Sequence, residues 1–169
     1  MLKAWVIDAS VALKWYFPDE EGAEQALSLL RDHVEEKVEL HAPSLIDYEV
    51  LNGALVALRK GRLQGEQMIH IVENFQKVAV RREEIGELFP RTLSLSESYG
   101  RSAYDASYLA LAEARGACLI TADCRLYNAV RKELPWVLWI EDYGSSVASQ
   151  KDCSRETESL EKSKDHLSS

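Results

Sequence analysis

Three observations predict an α/β protein built on a parallel sheet. Short apolar runs of strand length at residues 4–7, 38–42 and 117–121 alternate with longer segments of helical periodicity. Two of those runs lead into aspartates, Asp8 and Asp123, at the carboxyl ends of the strands, where open α/β sheets form their ligand crevice. Between Tyr104 and Asp123 an almost wholly apolar helix turns into a strand at Gly116, so both elements must lie inside. Strands joined through helices imply right-handed crossovers and helices on both faces of the sheet.

The elements follow in order. Asp8 ends the first strand, and a brief helix from Ser10 is stopped by Pro18. Residues 20–36 carry Ala23, Ala26, Leu27, Leu29 and Leu30 at helical spacing, with acids early in the run where the helix dipole favours them. After the strand at 38–42, Pro43 and Ser44 start a helix that runs through Lys60 and ends at Gly61; a second follows over residues 65–77. Residues 78–80 read as a third strand, with a helix from Glu83 passing Pro90. Beyond the central segment come a helix over 126–134, ended by Pro135, and a last strand at 136–140.

A chain of 169 residues is one domain of ordinary size, here residues 1–143; residues 144–169 are rich in Ser, Lys and Glu and read as a polar, disordered tail. The net charge of −8 argues against coating nucleic acid through bulk electrostatics, while acidic excess suits metal binding. Cys118, Cys124 and Cys153 are odd in number and lack CxxC spacing, and the amino terminus has no charged-then-apolar signal segment. A reducing, cytoplasmic setting is expected. No run approaches the roughly 18 apolar residues of a spanning helix, so no membrane location is expected.

Four carboxylates stand out. Glu49 sits in a helix among Leu45, Ile46, Val50, Leu51, Ala54, Leu55 and Leu58, where a buried charge needs a partner. Asn52, three residues on, shares its face and is placed to orient it or a water. Each acid also has a local explanation: Asp8 and Asp123 as helix caps, Asp105 as the acidic member of a capping box with Ser102, Glu49 in a salt bridge to a buried Arg or Lys. Asp47, three after Ser44, is set aside as a capping-box residue. Taken together, two strand-end acids, one at a helix start and one inside a helix would converge on one crevice. Four like charges there would take up protons unless a divalent cation neutralised them. An all-oxygen set favours Mg²⁺ or Mn²⁺ over zinc, and the scattered His33, His41, His70 and His166 offer no alternative. Such a centre suits phosphodiester hydrolysis.

The segments VIDASV, LIDYEVLNGAL, SAYDASYLALAEARG and LITADCRL, in that order, resemble the PIN-domain nucleases and especially the prokaryotic VapC-type toxins. The resemblance spans residues 2–143. It implies a three-layer α/β/α domain with a central parallel sheet, Mg²⁺- or Mn²⁺-dependent ribonuclease activity, homodimerisation and often a cognate antitoxin. Carried onto this chain, the metal-binding acids are Asp8, Glu49, Asp105 and Asp123, supported by Ser10, Asn52 and Thr121. Lys14 and Arg101, near the first and third motifs, are the better candidates for RNA contact among the cations, which also include Arg59, Lys60, Arg62 and Arg125. Trp15, Tyr16 and Phe17 fit core or dimer packing better than base stacking. Two further readings remain open: a catalytically silent PIN-fold protein that binds a partner, and a haloacid-dehalogenase-like phosphatase, against which the missing DxD counts, since Ser10 stands two after Asp8.

Overall fold

The computed structural model describes residues 1–145 and Cys153. Five parallel strands, β1 (Lys3–Ile7), β2 (Val38–Pro43), β3 (Arg81–Glu83), β4 (Cys118–Thr121) and β5 (Val137–Trp139), lie in the order β3-β2-β1-β4-β5. Helices α1 (Ala9–Lys14) and α2 (Ala23–Val34) join β1 to β2; α3 (Ile46–Arg59) and α4 (Gly65–Lys77) join β2 to β3. Helices α5 (Phe89–Tyr99) and α6 (Ala103–Arg115) join β3 to β4, and α7 (Cys124–Val130) joins β4 to β5. The chain steps one way from β1 to β3 and then crosses back to β4. With right-handed connections, α1–α4 cover one face and α5–α7 the other, giving three layers. The strand order reverses between β1 and β4, so their carboxyl ends, at Asp8 and Thr121, flank the switch point.

The core follows the hydropathy pattern. Trp5, Val6 and Ile7 of β1, all of β4, and the run Ala106–Ala112 of α6 are buried. Gly116 closes α6 in the left-handed conformation, φ 58°. Trp15 and Phe17 are core residues, and Ile71 and Phe75 turn the apolar side of α4 inward. Among the described residues no helix is long and apolar enough to cross a membrane.

The third strand departs from expectation. Residues 78–80 form the connector after α4, and pairing begins at Arg81, in register with His41. The cause is Arg82. Its guanidinium grips both oxygens of Asp47 at 2.9 Å and donates to the carbonyls of Phe75, Val78 and Val80, consuming acceptors that a strand at 78–80 would use. Asp47 is therefore structural through an ion pair with Arg82, not through a box with Ser44; α3 begins at Ile46. Replacing Arg82 with Ala should lower stability by about 3 kcal/mol in urea unfolding, because Asp47 loses its cation and three carbonyls lose a donor. A change below about 1 kcal/mol would show the clasp to be incidental.

The helix expected from Glu83 also starts later, at Phe89. A 3₁₀ turn at Gly86–Leu88 precedes it, and Pro90 falls in the first helical turn, where no N–H is needed. Buried His41 sits between Glu39 (2.8 Å) and Glu83 (2.5 Å), and Glu83 also pairs with Arg115 of α6, fastening the edge strand. Cys118 of β4 pairs with the buried Cys153, Cα–Cα 5.3 Å; Cys124 is free. Apart from Gly144, Ser145 and Cys153, the tail inferred for 144–169 lies outside the described residues.

Candidate active site

Asp8, Glu49, Asp105 and Asp123 line one cleft of about 640 Å³, together with Ser10, Asn52, Tyr48, Tyr104 and Tyr108. The local fold explains each placement. Asp8 leaves β1 as the N-cap of α1, accepting the Val11 N–H, and Asp123 leaves β4 as the N-cap of α7, accepting those of Arg125 and Leu126. Both are caps, as their local explanations held, and both face the cleft as well. Asp105 lies in the first turn of α6, its N–H donating to Ser102 Oγ at 3.1 Å. Glu49 approaches from α3, which packs closely on α1: a Cβ at Gly53 would lie 2.4 Å from Leu13.

The strand ends are cross-linked by hydroxyls. Ser10 Oγ donates to Asp8 Oδ1 and accepts the Ala122 N–H at 2.9 Å. Thr121 donates to Asp8 Oδ2 and accepts the Asp123 N–H at 3.0 Å. This network fixes both oxygens of Asp8, which is 5% exposed. Burial, with a smaller push from Asp123, raises the Asp8 pKa to about 6 despite those hydrogen bonds.

Glu49 is half-buried, because α3 is one-sided, with Tyr48, Leu51 and Asn52 exposed along it. Its partner is no Arg or Lys but the Tyr108 hydroxyl, which donates to Oε1 at 2.5 Å. Its charge stays uncompensated, and desolvation, then repulsion from Asp105 and Asp123, raises its pKa. Burial and the facing Glu49 carboxylate push the Tyr108 hydroxyl far up, so it remains a donor. Tyr108 was missed in the sequence. Its signal was the spacing of three from Asp105, which sets both on one face of α6.

Asn52 lines the cleft without a hydrogen bond to Glu49 among the described residues. Lys14 pairs with Glu20 at 3.2 Å and faces an adjoining groove with Lys60 and Arg62. Arg101 lies against Asp105, at 2.8 Å. The cleft lining contains four carboxylates and no Lys or Arg. Among the described residues, no three His, Cys, Asp or Glu side chains already stand close enough to hold an ion.

Fold, switch point and acidic cleft define a nuclease-like α/β domain, and the chain belongs to the PIN domain family, whose model matches residues 5–132. It is 34% identical to the VapC ribonuclease Mb0985 of Mycobacterium bovis over 130 residues, 77% of this chain and 94% of that one. It is 33% identical to ribonuclease VapC3 of Pyrobaculum aerophilum over 125 residues, covering 72% and 90% of the two chains. The crystal structure of PAE2754 from Pyrobaculum aerophilum superposes with a TM-score of 0.59 at 21% identity, covering 89% of this chain and all of that one, which shows a shared fold. Family membership leaves the haloacid-dehalogenase reading without support.

Proposed function

We propose that this protein is a divalent-metal-dependent endoribonuclease of the VapC type, the toxin of a toxin–antitoxin pair, acting in the cytoplasm as a homodimer with a cognate antitoxin as partner. The observation that carries the chemistry is the cleft itself: four carboxylates from two strand ends and two helices, with no cation in its lining. Oxygen donors alone fit Mg²⁺ or Mn²⁺. The ribonuclease names of its relatives, at 31–34% identity, support RNA as the substrate.

Asp8, Asp105 and Asp123 would hold the ion, with Glu49 binding it or positioning the attacking water. The ion would supply a water of lowered pKa and offset charge on the phosphate oxygens. Ser10 and Thr121 keep the two Asp8 oxygens in place, and Tyr108 keeps Glu49 turned into the cleft. Tyr48 and Tyr104, 77% and 66% exposed at the cleft, are better base-stacking surfaces than the buried Trp15 and Phe17. Lys14, Lys60 and Arg62 in the adjoining groove are placed to follow the RNA backbone.

The test is cleavage of a mixed set of structured and single-stranded RNAs in Mg²⁺, Mn²⁺ or chelator. Cleavage that requires the ion and is lost with chelator is expected. Cleavage that survives chelation would overturn the metal assignment, and metal binding without cleavage of any nucleic acid would favour the catalytically silent binder.

A further inference from the structure

We propose that Arg101 is a positioning residue that holds the Asp105 carboxylate until a divalent cation takes it, and that the displaced guanidinium then binds a phosphate of the RNA. The inference rests on the metal-dependent ribonuclease reading and adds to it an order of events and a coupling between its two ligands.

Arg101 stands just before the N-cap of α6, and its backbone is pinned there. Its N–H donates to the Ser96 carbonyl at 3.2 Å, and its own carbonyl accepts from Ser96 Oγ at 2.5 Å. The side chain reaches Asp105 with two donors, Nε at 3.2 Å and Nη2 at 2.8 Å, both on Oδ2. Both side chains are mostly shielded, 22% and 20% exposed.

The other three acids are held differently. Asp8 has hydroxyls and a backbone N–H, Glu49 a phenol, and Asp123 two backbone N–H groups. A neutral donor can stay on a carboxylate oxygen while a second lone pair meets a cation. A guanidinium cannot share that carboxylate with a divalent ion without strong cation–cation repulsion. Arg101 is the sole Lys or Arg paired with a cleft acid among the described residues. Although both its donors sit on Oδ2 and leave Oδ1 open, a divalent ion arriving on Oδ1 repels the guanidinium across the carboxylate, so this ion pair is the contact that metal entry weakens most. Once released, the guanidinium beside the cleft residue Asp105 has the planar fork that matches a phosphate. Metal draws Arg101 away from Asp105 and frees it for RNA; RNA draws it away and frees Asp105 for metal. Each ligand therefore favours the other, and the coupling is reciprocal.

The experiment titrates the full-length metal-free protein with Mn²⁺, with and without a short mixed-sequence 2′-O-methyl RNA, in the parent, Arg101→Gln and Arg101→Lys. Calorimetry gives both affinities without turnover. Arg101→Gln is expected to bind Mn²⁺ alone on the order of fivefold more tightly, the loss of one shielded ion pair. Arg101→Lys should fall between it and the parent. In the parent, Mn²⁺ and RNA should each tighten the other's binding, and in Arg101→Gln that mutual effect should shrink to the part that comes from the ion meeting the phosphate directly. Equal or weaker Mn²⁺ binding by Arg101→Gln, or coupling as large in it as in the parent, would overturn the proposal and leave the nuclease reading intact. Absence of Mn²⁺ binding in the parent and both variants would remove the metal-dependent reading and this inference with it.

Discussion

Asp8→Asn should abolish RNA cleavage and at the same time make the metal-free protein more stable at neutral pH. The carboxylate is 5% exposed, and burial lifts its pKa from 3.8 to about 6. Because the folded value is above the unfolded one, the native state binds the extra proton between those values, so stability falls as pH rises from about 4 through about 6. At pH 7 the ionised group costs the fold on the order of 3 kcal/mol. Asparagine removes the charge. Its amide nitrogen cannot accept the Thr121 hydroxyl as Oδ2 does, which returns part of the gain and leaves about 1–2 kcal/mol. Thermal unfolding of the metal-free parent should therefore weaken between about pH 4 and pH 6, while Asp8→Asn should lose most of that decline and keep only the smaller part due to Glu49, whose pKa is also raised. Cleavage runs the other way in pH, since the proton on Asp8 must leave before the carboxylate can hold a metal ion, and activity should decline below about pH 6. A variant that is less stable than the parent at pH 7 would mean that Asp8 serves mainly as the cap of α1.

What the sequence made legible was whatever depends on burial and period. Asp8 and Asp123 could be placed because the residues leading into them, 4–7 and 118–120, are apolar, and a strand buried on both faces ends where polar chain resumes. The same reasoning failed at the edge of the sheet. Strand β3 is Arg-Arg-Glu, with one neighbouring strand and much exposed surface, so no hydrophobic run marks it. The apolar Val78 and Val80 beside it drew the expectation three residues too early. Partner choice was harder still. The salt bridge offered as the local explanation of Glu49 is replaced by a hydrogen bond from Tyr108, 59 residues away in sequence, and Arg101, a candidate for RNA contact, pairs with Asp105. Local spacing says which face a side chain takes, and not which distant side chain packs opposite it. Cys153 illustrates the same limit, since nothing in the polar sequence around it signals its burial against β4.

Asp105→Asn should also lose cleavage, by more than about a hundredfold, the upper range for disturbing a residue that merely supports a metal ligand. Its effect on the fold should be unlike that of Asp8→Asn. The cap of α6 is made by the Asp105 backbone N–H and Ser102 Oγ, both untouched, and the buried run Ala106–Ala112 anchors the helix whatever stands at 105. What is lost is the charge facing Arg101, a partly exposed pair whose removal should shift unfolding by less than about 1 kcal/mol. The two variants together thus separate function from fold: both inactive, one stabilised and one nearly neutral. Mn²⁺ affinity tests the link between Asp105 and Arg101 directly. If Arg101 acts on the metal only through Asp105, then adding Arg101→Gln to Asp105→Asn should change Mn²⁺ binding far less than it does in the parent, leaving a large interaction energy in the double-mutant cycle. Additive effects would instead mean that Arg101 repels the ion from the cleft at large, independently of the carboxylate it touches.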